Sequence, residues 1–159
     1  MFFKPINVLP EKKCLKIIST VSKKNDWIQG WLLEDNCVFR SDLVNNFYED
    51  QIWNYIKLTV TSSKEFPVDW IYSPFCISKY AKNTALANHK DVMQKKRNSI
   101  RSRVILINLG TIIDISVKDF KISLFRGQGI QFPIETMYGV PTTKTESWLL
   151  TTWGMRYFN

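Results

Sequence analysis

The chain has 159 residues, 45% of them apolar and 14% aromatic, with a formal net charge of +8. That length suits one domain, read here as residues 1–159, and lets a chain bury roughly two-thirds of its surface without a disulfide or metal staple. The apolar content excludes a disordered chain. No run of about twenty apolar residues occurs, so no segment reads as a membrane-spanning helix.

The positive balance suits an acidic partner such as nucleic acid, an anionic membrane surface or an acidic protein face. The basic residues are scattered, however, and the one dense run is Lys95-Lys96-Arg97, with Arg101 and Arg103 after it. No aromatic stands among them to stack a base, so nucleic acid is not expected as a partner. Cys14, Cys37 and Cys76 form no CxxC pair, and with His89 as the single histidine they make no zinc site.

From the start, Leu15, Ile17 and Ile18 interleaved with polar residues predict a strand over Lys12 to Val21. Ser22 to Gly30 reads as a turn and Trp31 to Phe39 as a weak strand. Ser41-Asp42 offers an N-cap. Apolar residues then recur at intervals of three and four from Leu43 to Val60, which predicts a helix over Ser41 to Ser62. Pro67 is expected to open a short helix, and Ser73-Pro74 to cap another that continues to about His89. Asp91 to Arg101 reads as a polar loop. A long strand is predicted from Val104 through Gly110 to Ile115, with a turn at Lys118-Asp119. Alternation from Phe120 to Phe125 predicts a half-buried antiparallel strand. Gly127 to Lys144 reads as a connection broken by Pro133, Gly139 and Pro141, and Ser147 to Tyr157 as a closing strand. Helices first and antiparallel strands afterwards indicate an α+β fold, helices packed on one face of a curved sheet.

Candidate chemistry is sparse. A hydrolase triad needs a base beside its nucleophile, and His89, in a polar stretch after a predicted helix, reads as an ordinary surface residue. Glu34-Asp35 and Glu49-Asp50 are adjacent in sequence, so the partners of each pair point apart. Gly127-Gln128-Gly129 lacks both the third glycine and the following helix of a phosphate cradle, and reads as a loop. No catalytic, cofactor-binding or metal-binding residue is expected.

Taken in order, the long helix at Ser41 to Ser62, the step Trp70-Ile71-Tyr72-Ser73-Pro74 with Ile77 and Tyr80, the strand Phe120 to Arg126 and the Trp- and Thr-rich strand Trp148 to Tyr157 resemble a known domain. It is the periplasmic domain of the eighth component of VirB-type type IV secretion systems, with a nuclear-transport-factor-like cone as its fold. The family's Asn-Pro-x-Gly turn is replaced here by Asn98-Ser99-Ile100-Arg101. The resemblance implies a non-catalytic assembly scaffold on the periplasmic side of a bacterial inner membrane. It implies a transmembrane helix upstream of Met1, other secretion subunits as partners, at most a weak homodimer, and no small molecule or cofactor. Asn98, Ile100, Arg101, Trp148 and Trp153 are the interface residues it suggests. A small-molecule-binding or catalytic member of the same cone, and a basic nucleic-acid-binding module, are the alternatives.

Overall fold

The computed structural model describes residues 3–23, 28–29, 38–42, 51–64, 66, 68–71, 76–91, 95 and 98–157. Its centre is the antiparallel pair β7 (Ser99–Asn108) and β12 (Ser147–Tyr157), in register from Leu149↔Asn108 to Tyr157↔Ser99. Along β7 the run Val104-Ile105-Leu106-Ile107 is apolar without alternation because both faces are covered. Val104 and Leu106 face one core cluster, and Ile105 and Ile107 face another.

The large sheet has the order β1-β10-β7-β12-β5-β3-β2. Here β1 is Ile6–Asn7, β2 Ile28–Gln29, β3 Val38–Asp42, β5 Cys76–Tyr80 and β10 Gln128–Pro133, while β4 (Trp70–Ile71) pairs with β12 outside that path. The second sheet is β6-β11-β8-β9, made of β6 (Leu86–His89), β11 (Tyr138–Val140), β8 (Ile112–Val117) and β9 (Phe120–Phe125). The last eight strands therefore step back and forth between two facing antiparallel sheets, a jelly roll. Between the sheets lie Leu106, Ile115, Val117, Leu124, Phe132 and Leu149, each 0–1% exposed.

Helices α1 (Glu11–Val21) and α2 (Gln51–Ser62) cover the outer face of the large sheet. α1 buries Cys14, Ile17 and Val21, a helical spacing of three and four. The strand reading there fails because Leu15, counted as inward, is 45% exposed, whereas Cys14 is buried completely.

This architecture corrects the expected helix-covered cone. A second sheet, not solvent, lies against the inner face of the first, and the described residues contain two helices only. Ser41-Asp42 end strand β3 instead of capping a helix, and residues 43–50 of the predicted long helix lie outside the described residues. The predicted helix from Ser73 to His89 gives way to β5 and β6 (Ser73 and Pro74 are outside the described residues). No alternation betrays the strand because β5 is buried on both faces, Ile77 against the helices and Tyr80 between the sheets. The predicted strand from Val104 to Ile115 is two strands folded at Leu109 to Thr111. There buried Asn108 accepts from the Gly110 N–H at 3.0 Å and donates to the Leu124 carbonyl at 2.7 Å. The Gly127–Lys144 connection contains β10 and β11. Gly139 marks close strand packing, not a break: a Cβ there would lie 2.6 Å from the Leu86 carbonyl oxygen. Lys118-Asp119 is the turn expected, and Phe120–Phe125 and Ser147–Tyr157 are the strands expected. Asn98 to Arg101 lead into β7, so no turn replaces the absent Asn-Pro-x-Gly motif.

The two buried faces of β7 make a direct stability prediction. Leu106→Ala and Ile107→Ala should each cost about 2–5 kcal/mol by urea unfolding, and Leu58→Ala, at a side chain 68% exposed on α2, at most about 0.5 kcal/mol. Insensitivity at Ile107 would mean that the helical layer does not cover the sheet.

Candidate functional site

His89 ends β6, and Asp91 follows two residues later. Side chains two apart in an extended chain lean to the same side, so the order His89-Lys90-Asp91 brings imidazole and carboxylate together. Nε2 lies 3.1 Å from Oδ1. On β11, Tyr138 is in register with His89, with their ring centroids 4.5 Å apart. Its hydroxyl donates to Asp91 at 3.0 Å from each carboxylate oxygen. From the facing sheet, Trp153 on β12 donates its indole N–H to Oδ2 at 2.8 Å. The guanidinium of Arg101 lies over that indole, 4.2 Å from the ring centroid. Arg101 reaches it through a bulge: Gly154 pairs with Arg103 and Met155 with Arg101, leaving Ser102 as the extra residue and re-aiming the side chain before it.

Aromatic rings connect this cluster to the surface. Phe132 lies 4.9 Å from Tyr138, Phe3 6.2 Å from Phe132, and Phe120 6.5 Å from Phe3. Phe120 is 56% exposed. The ends of β6, β8 and β10 and the starts of β9 and β11 thus meet at one mouth of the sandwich.

The His89 and Asp91 side chains are only 12% and 13% exposed. Burial is the largest influence on His89 and opposes its charge, yet the hydrogen bonds to Asp91 and the Ala87 carbonyl and the charge of Asp91 leave its pKa raised. Burial opposes the charge of Asp91 too. Hydrogen bonds from His89, Trp153 and Tyr138, with the charge of His89, nevertheless hold the carboxyl below its ordinary value.

Nδ1 of His89 lies 2.9 Å from the Ala87 carbonyl oxygen, which can only accept, so Nδ1 carries a proton. Nε2 then confronts a carboxylate oxygen. Two lone pairs do not face each other at 3.1 Å without a cation between them, either a second ring proton or a metal ion. Both nitrogens are thereby engaged, and the imidazole has none left to take a proton from a substrate.

Of the residues suggested as an interface, Arg101 and Trp153 meet at this mouth. Trp148 lies on the opposite face of β12, 6% exposed in the helix-side core, with its indole N–H on Glu146 and Lys79 5.4 Å from its ring centroid. Asn98 is exposed, and Ile100 is half-buried opposite Arg156. His89, expected as an ordinary surface residue, is instead half of the most enclosed charged pair described, and Asp91 and Tyr138 were not singled out. The His-x-Asp spacing was the available signal.

No protein-family model matches the sequence, and no curated protein matches it. Solved structures do. The viral collagen prolyl hydroxylase of Paramecium bursaria Chlorella virus-1, in complex with 2OG, matches with a TM-score of 0.72 at 15% identity, over 100% of this chain and 97% of that one. A prolyl-4-hydroxylase of Pseudomonas putida matches with a TM-score of 0.66 at 12% identity, over 98% and 93%. At such identities the likeness is one of fold.

It corrects the resemblance to a secretion-system domain. The expectations of a non-catalytic scaffold, of secretion subunits as partners and of no small molecule rested on that resemblance and fall with it. The fold is instead the two-sheet jelly roll that this chain shares with those two structures.

The chemistry open to this chain is decided by its own donor set. A set of two histidines and one carboxylate, as used by non-haem iron oxygenases, cannot be built from a chain with one histidine. Among the described residues no three His, Cys, Asp or Glu side chains converge. The donor atoms that do stand together are those of His89 and Asp91, with the Tyr138 hydroxyl beside them.

The raised His89 pKa predicts a pH dependence whose sign is fixed. Between about pH 6 and about pH 8 the folded chain binds more protons at His89 than the unfolded chain does. That stabilisation is complete below the unfolded value, near about 6.5, and is lost as pH rises through the folded one. The Asp91 contribution is present above about 3.9 and is lost as pH falls through its lowered folded value. Urea unfolding in chelator should therefore show stability falling from about pH 6 to about pH 8, with the fall removed in His89→Gln. A rise over that window would contradict the pairing.

Proposed function

We propose that the chain is a metal-dependent enzyme of the oxygenase-type jelly roll, with its centre at His89 and Asp91 and an apolar, small or peptidyl substrate admitted past Phe120. The observation that carries the reading is the His89 Nε2–Asp91 Oδ1 contact of 3.1 Å, with Nδ1 already committed to the Ala87 carbonyl. A carbonyl that fixes the far nitrogen of an imidazole is the usual arrangement behind a metal-ligating histidine. Fold likeness to prolyl hydroxylases raises the prior for oxygenase chemistry but does not by itself assign it.

Bound at this pair, a redox metal would supply Lewis-acid and one-electron chemistry. The chain's own residues do the rest. Ala87 holds the imidazole plane, and Trp153 and Tyr138 hold the carboxylate from two sides. Arg101, stacked on Trp153, places a permanent positive charge at the mouth, a planar fork suited to a carboxylate of substrate or co-substrate. The 2OG bound by the viral neighbour belongs to that ligand class. Phe132, 4.9 Å from the Tyr138 ring, sets apolar surface against one side of the cluster.

Acid–base catalysis without a metal is disfavoured by the same geometry, since neither ring nitrogen faces open space. The test is calorimetric titration of the purified chain with Mn(II) or anaerobic Fe(II). One metal per chain is expected. Trp153→Phe, which removes an outer partner of Asp91, should weaken binding by about 10–100-fold, and His89→Ala and Asp91→Ala by more. Absence of saturable binding, or binding indifferent to both ligand variants, would dismiss the reading.

A further inference from the structure

We infer that the two-helix layer on the outer face of the large sheet is a docking surface for an anionic lipid bilayer, held there by lysines and two protruding leucines. The layer lies across the large sheet from the His89–Asp91 cluster, and the inference is independent of the chemistry proposed for that cluster.

Both helices bury their apolar faces in one core cluster, α1 through Cys14, Ile17 and Val21 and α2 through Ile56 and Val60. Their opposite faces therefore both turn away from the sheet. At 3.6 residues per turn, the side of α1 opposite its buried residues carries Lys12, Lys16 and Ser19, with Leu15 at the flank, and all four are exposed. Lys23, also exposed, follows the helix. On α2, Leu58 stands two residues from both Ile56 and Val60, which sets it opposite the buried face. At 68% it is the most exposed large apolar side chain among the described residues. Asn54, Thr61 and Ser62 are exposed on the same helix, Lys57 is half-buried, and Lys64 is exposed just past the helix end. The one acidic side chain on the two helices is Glu11, and its carboxylate lies 3.0 Å from Arg126 Nη1. The charge left on the layer is positive.

The residue types select the partner. Protein interfaces are depleted of lysine and enriched in aromatics, methionine and arginine, and the exposed side chains described on these helices include none of the enriched types. Nucleic acid calls for arginine forks and stacking rings and leaves the leucines without a role. A bilayer answers both features. The negative potential of anionic headgroups attracts lysines, and leucines enter the boundary between headgroups and acyl chains. Stable attachment takes two signals, such as an apolar insertion and a polybasic patch, and the layer supplies both. No helix of the described residues is long and apolar enough to cross a membrane, so the attachment is peripheral. The second sheet, with Phe120 at the mouth, then stands clear of the lipid.

The experiment sediments the full chain with vesicles of phosphatidylcholine alone and of phosphatidylcholine and phosphatidylglycerol in equal parts. Binding is expected to the mixed vesicles only, weakening as salt is added. Lys12→Ala with Lys16→Ala should reduce affinity about 30-fold, or about 5-fold for each lysine. Lys82→Ala with Lys144→Ala, which removes the same charge from loops linking the two sheets, should leave it nearly unchanged. Leu15→Ala with Leu58→Ala should weaken binding while keeping its salt dependence, and an unshifted urea midpoint in each variant shows the fold intact. Absence of vesicle binding, or equal binding to both vesicle types, would overturn the inference. So would equal losses in the two lysine pairs, which would leave only net charge, or an affinity unmoved by the leucine pair. Binding of a DNA duplex weakened by the Lys12 and Lys16 changes, with vesicles left unbound, would assign the face to nucleic acid and overturn it as well.

Discussion

Burial of the β7–β12 pair on both faces is the constraint on which the rest of the molecule depends. Because Val104 and Leu106 turn one way and Ile105 and Ile107 the other, the central ladder can be covered only by two layers. The second sheet supplies one and the helices α1 and α2 supply the other. A one-residue slip in that ladder would exchange the two faces. It would send Ile107 between the sheets and Leu106 under the helices, and would carry Trp153 away from Asp91. The register therefore sets the fold and aims the site at once. The single departure from it, the extra residue Ser102, falls where Arg101 must be turned toward Trp153.

The site concentrates polar interactions in a place that is otherwise apolar. Asp91 accepts hydrogen bonds from three side chains drawn from β6, β11 and β12, so both sheets contribute to its charge stabilisation. Networks of this kind are stable only when complete, because an unpaired buried carboxylate costs several kcal/mol. The aromatic column from Phe120 through Phe3 and Phe132 to Tyr138 keeps water from one side of the network. A buried ion pair contributes little to net stability for its cost, so its retention here is better explained by what it holds than by what it adds to the fold.

The C-terminal half was partly legible in the sequence. Phe120–Phe125 alternates as a half-buried strand must, and Ser147–Tyr157 carries β-branched and aromatic residues throughout. The N-terminal half was not, for a physical reason. Strands buried on both faces, such as β5, lose the period of two, and the short apolar runs that remain are compatible with helix spacing. Cys14 packs as a hydrophobe in α1, while Leu15, the more apolar residue, faces solvent. Pro133 and Gly139, taken as breakers, stand at a strand end and at a close strand contact. Within the site, His89-x-Asp91 could have been recognised as a same-side pair if residues 86–89 had been read as a strand. Tyr138 could not, since only the β6–β11 pairing places it opposite His89.

The central claim is that the lone imidazole points its Nε2 at Asp91 with Nδ1 permanently protonated, so that a cation must occupy the contact. Nitrogen-15 NMR of the single histidine tests this without ambiguity of assignment. The account predicts that Nδ1 keeps its proton at every pH in the neutral range. Nε2 should be protonated in the metal-free chain at acidic to neutral pH and should lose that proton on addition of one equivalent of a diamagnetic divalent ion such as Zn(II). A neutral imidazole protonated at Nε2, with Nδ1 bare and unchanged by metal, would contradict it.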